Sequence, residues 1–269
     1  MSTFFELEIK DKVAHLAFNR PEKANALHGE AWKEMRQHFK DFSENPAVRV
    51  VVLSGNGKHW CAGIDLELLM SLAGMQSMDC EGRKREKVRG FIEELQSCIN
   101  AIEDCRKPVL AAIHNGCIGG GVDIATACDI RYCAADAYFT VKEIDLGLVA
   151  DIGTLQRLPK IVAPGIAYEM ALTARKVYGP EAVQIGLVNR TFTDKENLLE
   201  EVMVIAKQIA EKSPLVVRGI KENIKYSREH SIAEGLKYIA TYNSAYILSD
   251  DLMQAFQASM SKQKPTFKD

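Results

Sequence analysis

The stretch HNGCIGGGVD, residues 114–123, places four glycines between a short apolar run, Val109–Ile113, and a helix start near Val122. Glycine tolerates positive φ and lets backbone come close to a ligand or to another strand. Free N–H groups at the start of the following helix favour a developing negative charge. A dinucleotide site is one reading of such a loop. However, Gly116, Gly119, Gly120 and Gly121 do not fall in the G-x-G-x-x-G register, and no Gly-Lys-Ser/Thr phosphate loop is present. A tight turn with close packing is the plainer alternative.

A second small-residue turn, CAGIDL at 61–66, sits between the apolar run Val48–Leu53 and an apolar helix. Two backbone N–H groups drawn from the two loops can hold one oxygen between them. Each donor of such an oxyanion hole contributes roughly 3–4 kcal/mol in the transition state. A third stretch, VKEIDLGLVAD at 141–151, sets Glu143, Asp145 and Asp151 among apolar residues. An unpaired buried carboxylate is costly, so these carboxylates call for a role.

The rest of the chain bounds the answer. A length of 269 residues suits one large domain or a domain with an appendage. Hydrophobic content of 47%, charged content of 26% and a net charge of −2 are ordinary for a globular protein and give no support to a nucleic-acid surface. The seven cysteines are scattered without a CxxC pair, as expected of reduced thiols in an intracellular protein. No apolar run is long enough for a membrane span. Neither MSTFFELEIK nor KPTFKD reads as a targeting address.

Residues 3–10 and 13–19 read as a hairpin turning at Asp11-Lys12. Trp32, Met35 and Phe39 give helical spacing over 29–42. Val48–Leu53, interrupted only by Arg49, and Val109–Ile113 are apolar runs, the pattern of strands buried on both faces. Residues 71–90, with EGRKREK inside, read as a polar, mobile surface segment leading to a helix at about 88–104. Strands are expected at 129–134 and 137–141. Helices are expected at about 165–173, 180–186, 195–212, 214–229 and 231–248. Strand–helix alternation followed by helices alone predicts an α/β core, residues 1–195, and a helical module, residues 196–269.

The pairing of CAGIDL with NGCIGGGVDIATACDIRYCAADAYF, followed by KEIDLGLVADIGTLQRLP, resembles the crotonase (enoyl-CoA hydratase/isomerase) superfamily. The resemblance runs from NRPEKANAL, residues 19–27, to the C-terminal helices. It implies a spiral of ββα units with a helical trimerisation module, giving a homotrimer or homohexamer. It implies an acyl-CoA thioester as substrate, with no metal and no redox cofactor. By position, the N–H groups of Ile64 and Gly120 become the oxyanion donors. Ala62, Gly63, Ile64, Asp65 and Leu66, with Gly120, become the lining of the substrate site. Hydratases of the family carry two glutamates, which fall here at Asp123 and Glu143, and a small residue where this chain has Asp151. Both departures resemble the family's dienoyl-CoA isomerase branch, as do CIGGGVD, ACDIRYC and TARK.

That branch moves conjugated double bonds from 3,5 to 2,4, in the oxidation of unsaturated fatty acids. One proton leaves C2 and one arrives at C6, without added water or redox change. Two acid/base groups at the two ends are needed, and Glu143 and Asp151 are the candidates. Glu143 is expected to take the C2 proton and Asp151, neutral in an apolar setting, to supply C6; the reverse assignment stays open here. Asp123 is expected to tune both, and a direct role is also open. Asp145, two residues beyond Glu143 and on the same face if the segment is extended, is expected to be structural.

Other candidates are weaker. A thiol nucleophile at Cys61, Cys117 or Cys128 needs an activating base such as His59 or His114. The histidines lack metal-ligand spacing. Lys23 and the basic residues of EGRKREK are candidates for CoA phosphate contacts. Met70, Met75 and Met78 are candidates for an acyl pocket. A 2-enoyl-CoA hydratase, a Δ3,Δ2-enoyl-CoA isomerase and a non-catalytic RNA-binding scaffold are the rivals. For a eukaryotic source the resemblance implies a mitochondrion or a peroxisome.

Overall fold

A computed structural model describes residues 4–71 and 80–269. The chain opens with a hairpin of β1 (Phe5–Lys10) and β2 (Val13–Phe18), turning through Asp11 and Lys12 at φ 51° and 65°. Two successive left-handed residues match the twist of a tight hairpin. Helix α1 (Gly29–Glu44) buries Trp32, Met35, Phe39 and Phe42 on one stripe. Strand β3 (Val50–Gly55), helix α2 (Leu66–Ser71), helix α3 (Glu81–Asp104) and strand β4 (Val109–Ile113) follow. Then come β5 (Gly116–Ile118), α4 (Gly120–Ala127), β6 (Ile130–Ala134) and β7 (Tyr138–Thr140). A 3-10 turn at Glu143–Leu146 leads to the single-turn helix α5 (Thr154–Arg157). Helix α6 (Pro164–Thr173), β8 (Val177–Tyr178), α7 (Gly179–Gln184) and β9 (Arg190–Phe192) close the sheets. Four helices end the chain: α8 (Lys195–Ala210), α9 (Pro214–Ser227), α10 (Ile232–Tyr246) and α11 (Asp250–Met260).

Six strands form one sheet in the order β1-β2-β3-β4-β6-β9, parallel except for the first pair, and β5-β7-β8 form a second. The pleat sends alternate residues of β3 and β4 to different cores. Val51, Leu53, Val109, Ala111 and Ile113 join the main core with α1, α3 and α4. Val50, Val52, Leu110 and Ala112 meet Leu198, Val202 and Ala206 of α8 on the other face. Burying each such side chain contributes roughly 1.5–3 kcal/mol, so neither face tolerates polar residues. This explains the apolar runs.

Three expectations need correction. The boundary at 195/196 would assign α8 to the helical module, but its apolar stripe is the cover of the six-stranded sheet. Second, EGRKREK is already helical, since α3 starts at Glu81 rather than near 88. Third, α11 occupies a stretch where no helix was expected. Met75 and Met78 lie outside the described residues. Among the described residues no helix is long and apolar enough to cross a membrane.

Candidate active site

The two glycine-bearing loops meet. Cys61 and Cys117 pair as a short parallel bridge: the Cys61 N–H donates to Gly116 O (3.1 Å) and the Ile118 N–H to Cys61 O (3.0 Å). Beyond this bridge the backbones touch. A Cβ placed on Gly63 would fall 2.4 Å from the Gly120 nitrogen, and Gly63 sits at φ +77°. A Cβ on Gly120 would lie 3.3 Å from the Ile64 nitrogen. No side chain fits between them, so glycine at 63 is required by both contact and conformation.

This contact sets two amides side by side. Leu27 pairs with Ile64 by donating to Gly63 O (2.7 Å) and accepting from the Asp65 N–H (3.0 Å). That pairing turns the Ile64 N–H away from Leu27. The Gly120 N–H opens α4, where no intrahelical acceptor exists. Among the described residues neither N–H has an acceptor. The arrangement can receive an anionic oxygen.

Three carboxylates lie beside it. Asp123 is fully buried on α4, and its Oδ1 accepts from the Thr154 N–H at 2.5 Å, capping α5. Its Oδ2 has no partner among the described residues. Burial, followed by the charge of Glu143, pushes the Asp123 carboxyl up to about 7. Glu143 is half-buried. A Cβ on Gly119 would come within 3.1 Å of its Oε1, which puts this carboxylate against the glycine loop. Its Oε2 is buried without a partner among the described residues. Burial, and then the charge of Asp151, raises the Glu143 carboxyl. Asp151 is also raised by burial, although its residue is exposed in the single chain. The charge of Glu143 thus acts on Asp123, and the charge of Asp151 acts on Glu143.

The apolar setting expected for Asp151 is open on one side. Its backbone is held by Gln96, whose Nε2 donates to Asp151 O at 2.7 Å. Asp145 points elsewhere and pairs with Lys142 on the surface. The segment is a 3-10 turn, not extended, so Glu143 and Asp145 do not share a face. Exposed apolar side chains occur within the carboxylate-bearing segment, at Ile144, Leu146, Leu148 and Val149, and just after the first loop, at Leu66 and Met70.

The substrate-lining positions divide. Ala62, Gly63, Ile64 and Gly120 form the wall, and Leu66 is exposed beside it. The Asp65 carboxylate is buried, with Oδ2 on Arg20 and Oδ1 accepting from the Glu67 N–H at 2.9 Å. Lys23 pairs with Glu67 at 3.4 Å. Cys61, Cys117 and Cys128 are buried, and burial pushes the thiols of Cys61 and Cys128 up to about 12, the wrong direction for a thiolate nucleophile. Burial lowers His114 to about 4. Among the described residues no group of three metal-ligating side chains occurs. Arg20, Thr154 and Arg157 were not expected in the site. Arg157, anchored on Glu103 (2.8 Å) and Asn100 (2.7 Å), occupies the space a Cβ at Gly153 would need. The only sign of Arg20 was a charge inside the NRP turn.

The model of the enoyl-CoA hydratase/isomerase family matches residues 8–269. A peroxisomal Delta(3,5)-Delta(2,4)-dienoyl-CoA isomerase of Arabidopsis thaliana is 50% identical, over 99% of this chain and 98% of that protein. A mitochondrial protein of the same name from Homo sapiens is 47% identical over 92% of this chain and 76% of its own length. The crystal structure of an enoyl-CoA hydratase from Bacillus anthracis superposes with a TM-score of 0.88 at 28% identity, covering 98% of this chain and 99% of that one. The chain belongs to the enoyl-CoA hydratase/isomerase family.

Proposed function

From that membership, we propose that this protein is a Δ3,5-Δ2,4-dienoyl-CoA isomerase of unsaturated fatty acid β-oxidation. The observation that carries the reading is the row of three coupled carboxylates, Asp123, Glu143 and Asp151, beside two free amides. The names of these two relatives support it. In this reading the thioester oxygen rests on the N–H groups of Ile64 and Gly120. The acyl chain runs along the exposed apolar side chains near Glu143 and Asp151.

Glu143, against the glycine loop, is nearest the thioester and takes the proton from C2. The electron pair spreads through the diene onto the oxygen held by the two amides. Asp151, as the neutral acid, delivers a proton to C6. The double bonds then lie at 2 and 4, Glu143 is protonated and Asp151 is the anion. Proton exchange between the two resets the site. Asp123 in its neutral form lets Glu143 carry the charge, since like charges in one site separate their titrations. No water adds and no electrons leave, so the chemistry calls for no metal or redox cofactor; the CoA thioester is the substrate. A hydratase would need Asp123 to present its oxygens to water, whereas this residue is sealed.

A homotrimer or homohexamer goes with this reading. The exposed Ile224, Leu236, Leu248 and Phe256 of the C-terminal helices and the turn after α10 are suited to contacts between copies. The peroxisomal and mitochondrial relatives support one of those organelles for a eukaryotic source. The test is to give the protein 3,5-octadienoyl-CoA and follow the ultraviolet band of the 2,4-dienoyl thioester, with 2-butenoyl-CoA hydration measured alongside. Rapid growth of the dienoyl band with little hydration is expected. Hydration without isomerisation would overturn the assignment of Asp151.

A further inference from the structure

The amide of Ile64 is aimed by structure behind it. Residues 19–27 run along the back of the first loop as a brace. Asn25, 1% exposed and at φ 57°, donates through Nδ2 to Asn56 O (2.8 Å), His59 O (2.8 Å) and Trp60 O (3.1 Å). Its Oδ1 accepts from the Arg20 N–H at 2.8 Å. The Ala62 N–H donates to Ala24 O (3.0 Å), and the Gly63 N–H reaches Cys61 Sγ (3.4 Å). With Asp65 held by Leu27, the N–H groups on both sides of Ile64 are tied to the brace or to the loop itself. Ile64 alone points to the opposite side, beside Gly120.

One charged contact locks brace to loop. Arg20 Nη1 donates both to Ala26 O (3.1 Å), in the brace, and to Asp65 Oδ2, in the loop. The Asp65 side chain is 6% exposed and that of Arg20 is 19% exposed. Burial would raise the Asp65 carboxyl, but the Glu67 amide and Arg20 outweigh it and hold it below the usual range. Both carboxylate oxygens are engaged within the protein, so Asp65 does not serve the thioester directly. Its neighbour in sequence is the donor that does.

We propose that Arg20 and Asp65 are positioning residues of the oxyanion hole, fixing the direction of the Ile64 N–H through the clamp between residues 20–27 and 61–67. This rests on the oxyanion-hole reading above. A misdirected donor weakens transition-state stabilisation while leaving the remote binding contacts in place.

The experiment uses R20M, D65N, the double variant R20M/D65N and the conservative R20K. The readout is the red shift of the bound 2,4-dienoyl-CoA absorption, which reports polarisation of the thioester carbonyl, together with kcat and KM. The single variants are expected to lose most of the red shift and roughly 10–100-fold in kcat, with KM nearly unchanged. R20K is expected to recover part of both. Breaking one half of a buried pair leaves an uncompensated charge, so the double variant is expected to be better folded than either single one, yet still without the shift. If R20M does not fold, D65N and the double variant carry the test. Folded variants with the full red shift and wild-type kcat would sink this proposal alone. A wild-type protein with turnover but no red shift would sink the oxyanion reading and the proposal with it.

Discussion

The two halves of the candidate site are built from different material. The oxyanion side is backbone: two amides held by a glycine–glycine contact and by strand-like pairing to Cys117 and Leu27. The acid/base side is three side chains borne by α4, a 3-10 turn and the loop before α5. The first has no rotamers and little room to adjust. The second is adjustable, and each carboxyl is tuned by its burial and by its neighbours. Geometry is fixed in one half and proton affinity is set in the other.

The largest effect should come from breaking the rigid half. G63A puts a Cβ within 2.4 Å of the Gly120 nitrogen at a position with φ +77°. The loops must part, and both donors lose their aim. Isomerase kcat is expected to fall at least about 10³-fold, with a lowered melting temperature by calorimetry.

The adjustable half should lose activity without losing stability. E143Q and D151N are each expected to lower kcat by roughly 10²–10⁴-fold in the dienoyl assay. E143Q should melt no lower than wild type, because the Glu143 Oε2 it replaces is buried without a partner among the described residues. A large drop in melting temperature for E143Q would mean that this half is also structural.

Asp123 gives a smaller and pH-dependent effect. Its carboxyl is raised from 3.8 to about 7 in the folded protein. The folded state therefore binds the proton more tightly than the unfolded chain does. The resulting destabilisation is absent below about pH 4, grows as pH rises towards 7 and is complete above it. D123N keeps an acceptor for the Thr154 N–H and has no such titration. Its melting temperature is expected to match wild type near pH 4 and exceed it at pH 8, by a stability difference of up to about 4 kcal/mol. A constant offset across pH would refute the coupling.

The smallest effect belongs to Asp145, whose pair with Lys142 is exposed. D145A should leave kcat unchanged and shift stability by less than about 1 kcal/mol.

Sequence revealed the rigid half better than the adjustable one, for physical reasons. The glycine cluster marks a close backbone approach, and Val50–Leu53 of β3 and all of β4 are apolar because both faces are covered. The carboxylates at 123, 143 and 151 were recognisable as residue types in unusual places. Their exposures were not, because burial is set by packing from distant segments. The Thr154 amide reaches Asp123 across 31 positions and Arg20 reaches Asp65 across 45. No local pattern records such pairs. The early start of α3 was missed because residues 81–90 are largely exposed and so lack an apolar stripe. The 3-10 turn at Glu143–Leu146 was not foreseen, because four residues are too few to show a helical period.

The unequal exposure of Glu143 and Asp151 has a consequence for the hydrogen atoms themselves. Glu143 has a sealed oxygen against the glycine loop, while Asp151 opens outward. In the proposed reaction the atom abstracted at C2 is held out of reach of the medium, and the atom installed at C6 comes from a carrier in contact with it. The overall change resembles an internal migration along five carbons, but the hydrogen that arrives is not the one that left. The substrate gives one to Glu143 and takes another from Asp151, and because the proton that resets Asp151 meets the solvent there before the next turnover, C6 takes up the hydrogen isotope of the medium.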